Sequence, residues 1–94
     1  MAILTEKIAL RARFKGTFTV NPASVAAVSV ATQTFTIAGL TTDMMVMVSM
    51  PALVAGLSIG GAWVSAANTL SVKFVNPTAG ALDDSARALS IVAF

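Results

Sequence analysis

The chain has 94 residues, with no cysteine and no histidine. That is the length of one domain, without the disulfides or the usual zinc ligands that staple small ones. Apolar residues make up 56% and charged residues only 11%, so the surface needs a cover other than water, and the net charge of +2 is too small to imply a nucleic-acid partner.

Residues 1–15 read as an N-terminal arm, and residues 16–94 as a single domain. The arm concentrates the basic residues: Lys7, Arg11, Arg13 and Lys15 stand against Glu6 alone. Ile3, Leu4, Ile8 and Leu10 supply its apolar side. Extended, Ile8, Leu10 and Ala12 alternate with Lys7, Ala9, Arg11 and Arg13, which separates an apolar face from a basic one. A short helix is open too, because Ala, Leu, Arg and Lys are good helix formers. The arm is either a first strand with its charges outward or a docking segment. Glu6 and Lys7 follow Ile3 and Leu4 at once, which is not the pattern of a signal peptide.

Phe14 to Val20 reads as a strand with Phe14, Phe18 and Val20 on one face, ended by Asn21-Pro22. Ser24 to Ala31 is a loop or a short edge segment. Gln33 to Ala38 is a strand, with Phe35 and Ile37 alternating with Thr34 and Thr36. Gly39 to Asp43 is a connection. Met44 to Met50 is a strand apolar on both faces apart from Ser49, the pattern of a strand covered twice; in so small a domain the second cover is expected to be another subunit. Pro51 to Gly56 is a loop. Leu57 to Ser65 is a strand broken by Gly60-Gly61, the mark of a bulge. Ala66-Ala67-Asn68 is a tight turn in which Asn accepts the left-handed conformation. Thr69 to Asn76 is the clearest strand, Pro77 to Gly80 a turn, Asp83 to Arg87 a polar loop and Ala88 to Phe94 the last strand.

Gly16 to Thr42 and Met44 to Val72 contain no charge, so a two-span membrane protein of the holin kind is the alternative from another class. Three features favour a sheet. The period is two, Pro51, Gly56, Gly60 and Gly61 break the second stretch, and Val and Thr abound. The expected fold is therefore all-β: a small antiparallel β-sandwich, jelly-roll-like or immunoglobulin-like, with an N-terminal arm.

From Gln33 onward, several features come in a specific order. Phe35-Thr36-Ile37 leads to Gly39-Leu40, Asp43 and the Val/Met strand. Then come Trp63-Val64-Ser65-Ala66-Ala67-Asn68-Thr69-Leu70, Val72-Lys73-Phe74, Asn76 and Thr78-Ala79-Gly80. This order resembles small β-sandwich structural proteins of tailed phages. The resemblance implies a head decoration (cement) protein, commonly trimeric, on the outer surface of the phage head with the major capsid protein as partner. A tail or fibre component with a host-recognition role is the alternative within the same class. The arm lies outside the resemblance. Its residues Ile3, Leu4, Lys7, Ile8, Leu10, Arg11, Arg13 and Lys15 are the candidate capsid contacts. Met45, Met47, Trp63 and Phe94 are the candidates for self-association.

No catalytic, cofactor or metal site is assigned. Without His, Cys or Tyr the chain lacks the common bases and nucleophiles. Asp83 and Asp84 read as solvated loop acids. The methionines of 44–50 read as adaptable packing side chains rather than thioether ligands. Trp63 is a core anchor or an interface hot spot. Arg11 and Arg13 fit an acidic protein surface better than nucleic acid, and no partner membrane is expected.

Overall fold

The computed structural model describes residues 13–83 and 85–94. Six strands fold in chain order: β1 (Phe14–Val20), β2 (Ser29–Thr36), β3 (Val46–Ser49), β4 (Ser58–Ala66), β5 (Thr69–Asn76) and β6 (Arg87–Ala93). They form two three-stranded antiparallel sheets with orders β1-β6-β3 and β2-β5-β4. We call these sheet I and sheet II. The protein is thus an all-β, sandwich-like fold. Successive strands change sheet at every connection except the β4–β5 hairpin, so most pairing is between distant parts of the chain.

Alternation decides which side chains meet in the middle. In the central strand of sheet II, Leu70, Val72 and Phe74 are buried; in that of sheet I, Leu89, Ile91 and Ala93 are. Phe14, Phe18 and Val20 of β1 and Val46 and Val48 of β3 pack against this core. The rings of Phe14 and Phe18 stack at 6.1 Å, and Phe35 meets Phe74 edge-on at 6.4 Å. Loop residues Val25, Leu40, Met50 and Leu57 close the core around the strands.

Two asparagines tie the connections to this frame. Asn68 takes the left-handed conformation in the β4–β5 turn (φ 60°), as its type allows. Its backbone N–H donates to the Leu40 carbonyl, its carbonyl accepts from Ile37 N–H, and its Oδ1 accepts from Gly39 N–H, each at 2.9 Å. Asn76 is fully buried. Its Nδ2 donates to the carbonyls of Val25, Ala26 and Gly80 at 3.1, 3.2 and 2.9 Å, and its Oδ1 accepts from the N–H and hydroxyl of Thr78. The side-chain amide therefore ties both connections to the end of β5 with all its polar atoms satisfied.

The strand boundaries show where local pattern misleads. β1 and β5 match the sequence reading end to end, and the expected bulge in β4 is present as a register shift between Ile59 and Gly61. β2 starts at Ser29, not at Gln33. Ser29-Val30-Ala31-Thr32 pairs in register with Asn76 to Lys73, but small side chains on its inner face hide the alternation. β3 is shorter than expected, and no described residue covers its second face: Met45 and Met47 are 70% and 67% exposed.

Candidate functional site

The outer face of sheet I is the candidate interaction surface. Its side chains lie in rows set by register. Lys15, Val92 and Met47 are opposite one another across β1, β6 and β3, and Thr17, Ser90 and Ser49 form the next row. At the end of the sheet, Met45 and Phe94 exchange two backbone hydrogen bonds, Phe94 N–H to Met45 O at 2.8 Å and Met45 N–H to Phe94 O at 3.2 Å. This extends the pairing one step beyond β3 and β6. Met45, Met47, Val92 and Phe94 therefore form one apolar patch, and shallow grooves run between them and Ser49 and Ser90. The other half of the face is polar, with Thr17 and Ser90 joined through their hydroxyls at 3.2 Å.

The self-association candidates divide between two surfaces. Met45, Met47 and Phe94 come together on sheet I. Trp63, 41% exposed, lies on the outer face of sheet II opposite Ser71, so a single flat contact does not reach all four. Sequence reasoning missed Val92, which completes the patch. Its signal was present, since Ala88–Phe94 is apolar on both faces just as Met44–Met50 is.

Of the capsid-contact candidates, Ile3, Leu4, Lys7, Ile8, Leu10 and Arg11 lie outside the described residues, as do the arm's strand and helix alternatives up to residue 12. Lys15 belongs to β1 and stands exposed beside Val92. Arg13 is partly committed within the chain. One guanidinium nitrogen, Nη2, is 3.2 Å from Asp43 Oδ2 and 3.3 Å from the Phe94 carbonyl oxygen. Asp43 also accepts a hydrogen bond from the Thr41 hydroxyl. That bond, followed by the bond and charge of Arg13, holds the Asp43 carboxyl below its usual value. Both partners are exposed, so the pair positions the chain end more than it stabilises the fold.

The outer face of sheet II differs. Thr32, Thr34 and Thr36 of β2 stand beside Lys73, Ser71 and Thr69 of β5. Ser71 is buried and donates its hydroxyl to Ser65 at 2.7 Å. Val30 and Trp63 are its exposed large apolar side chains.

Among the described residues no helix is long and apolar enough to cross a membrane. No protein-family model matches the chain, and neither a curated protein nor a solved structure matches it.

Proposed function

We propose that this chain is a non-enzymatic structural protein of a tailed-phage particle, a decoration or cement protein on the outer surface of the head. It self-associates and contacts the major capsid protein, and neither nucleic acid nor a membrane is among its partners. The observation that carries this reading is the apolar patch of Met45, Met47, Val92 and Phe94 on a sheet whose inner face is already used by the core. An open apolar surface on a charge-poor small domain is what a protein neighbour covers. The phage resemblance from Gln33 onward supplies the particle, implies three copies and points to the head. The basic, apolar arm supplies a second contact, and two weak contacts from one subunit raise the effective concentration of each.

A second reading, a tail or fibre component with a host-recognition role, draws on Trp63, an aromatic side chain exposed among the threonines of sheet II.

Sedimentation with purified phage heads that lack the protein tests the proposal. Full-length chain should bind to saturation at a fixed ratio to the capsid protein, and chain lacking residues 1–12 should stay folded but bind poorly. Binding to tails and not to heads would overturn the head assignment in favour of the second reading.

A further inference from the structure

Each sheet has two edge strands: β1 and β3 in sheet I, β2 and β4 in sheet II. An edge strand offers unpaired backbone groups to any passing strand, and proteins blunt such edges with short strands, charged side chains, prolines, bulges or covering segments. Three of the four are blunted here. β3 has four residues and runs towards Pro51. β4 shifts register twice, between Ile59 and Gly61 and between Val64 and Ala66. β2 holds a covering segment through Gln33, whose Oε1 accepts from Ala23 N–H at 2.7 Å and whose Nε2 donates to the Ala23 carbonyl at 2.9 Å. Among the described residues β1 has the weakest protection, the single charge of Lys15, and none of the other devices. Its seven residues pair with β6 in unbroken register and contain no proline.

We propose that the free edge of β1 pairs antiparallel with β1 of a second copy about a twofold axis at Thr17, joining two copies of sheet I into one six-stranded sheet. The inference rests on the self-association part of the functional reading and gives it a location. It replaces the threefold contact that the phage resemblance implies with a twofold one.

The sequence of β1 suits itself as a partner. Thr17 is the middle residue of the strand, so this register pairs the whole of it. Thr17 then faces Thr17 of the second copy, a favourable cross-strand pair. Lys15 faces Thr19, which keeps the two lysines from standing opposite each other, where like charges repel. Phe14 faces Val20, and Gly16, which has no side chain, faces Phe18. A twofold axis makes each of these contacts twice, apart from the Thr17 pair on the axis itself, as in the commonest kind of oligomer. The Met45–Phe94 patch lies beyond β6 from this edge and stays open to the capsid lattice.

The chain has no cysteine, so one introduced thiol reports on one contact. Directly opposed residues of antiparallel strands have Cα atoms ~4.5–5.5 Å apart, within the range of a disulfide. Full-length Thr17→Cys should oxidise to a covalent dimer under mild oxidant. Thr19→Cys alone should not, because its two thiols would be offset by four residues, ~14 Å along the strands. A mixture of Lys15→Cys and Thr19→Cys should form the mixed dimer. Light scattering of the unmodified chain should give twice the chain mass, a reading independent of how the variants fold. Cross-linking of Thr19→Cys as fast as Thr17→Cys overturns the register and the axis. An unmodified trimer overturns the twofold contact and leaves the decoration reading standing if it saturates heads. A monomer that fails to bind heads overturns both.

Discussion

The two outer faces of the sandwich come from the same kind of strand and end in opposite chemistry. On sheet I, the residues pointing away from the core at one end are Met45, Met47, Val92 and Phe94. On sheet II they are chiefly Thr32, Thr34, Thr36 and Lys73, with Trp63 and the opposed pair Val30 and Val75 as the apolar members. Both inner faces serve one core, so core packing does not explain the difference. A sheet exposed to water on one side alternates apolar and polar residues, as Thr34-Phe35-Thr36-Ile37 does at the end of β2. A strand apolar on both sides needs a second cover, and β3 has only one among the described residues. The proposed protein neighbour on sheet I rests on this contrast.

The largest expected effect defines the baseline that both faces share. Phe74→Ala removes a fully buried ring between the sheets and should lower unfolding free energy by about 3–5 kcal/mol in a denaturant titration. Met47→Ala should change it by less than about 0.5 kcal/mol, as at other exposed sites. A comparable loss from the two would mean that the patch belongs to the core. Asn76→Ala, at the end of the sheet II central strand, should cost about 2 kcal/mol, because it removes the hydrogen bonds that tie three loop carbonyls to the strand and loosens the 77–80 turn.

Binding should separate the faces more sharply than stability does. Met45→Ser combined with Met47→Ser should weaken head binding by about tenfold or more, the scale of a lost hot spot, with the unfolding midpoint unchanged. Trp63→Ser should leave head binding intact. The reverse result would move the contact to sheet II.

The smallest effect concerns the end of sheet I. The Asp43 carboxyl is held below its ordinary pKa of 3.8 by Thr41 and Arg13. The stabilisation is therefore present above that ordinary value and is lost as the pH falls through the lowered folded-state one. Asp43→Asn should lower the melting temperature slightly at neutral pH, make no difference once the parent carboxyl is protonated, and so remove this acid-side dependence from thermal melts.

Much of this arrangement was legible in the residues. β1 and β5 could be read because large apolar side chains recur at alternate positions, Phe14, Phe18 and Val20 in one and Leu70, Val72 and Phe74 in the other. The turn at Asn68 and the bulge at Gly60-Gly61 could be read because few residue types tolerate those backbone shapes. The start of β2 could not, since Ser29, Ala31 and Gln33 give no apolar stripe until Phe35. Nor could the division of the four self-association candidates, because which sheet a strand joins is a long-range property. Met45 and Phe94 are neighbours only because β3 and β6 pair, and Trp63 is elsewhere because β4 pairs with β5.

Oxidative footprinting tests the central claim most directly. Met45, Met47 and Trp63 are all exposed and oxidisable, and they sit on the two faces being compared. The account predicts that Met45 and Met47 lose reactivity when the protein is assembled on heads while Trp63 keeps its own. Protection of Trp63 with both methionines still reactive would contradict it.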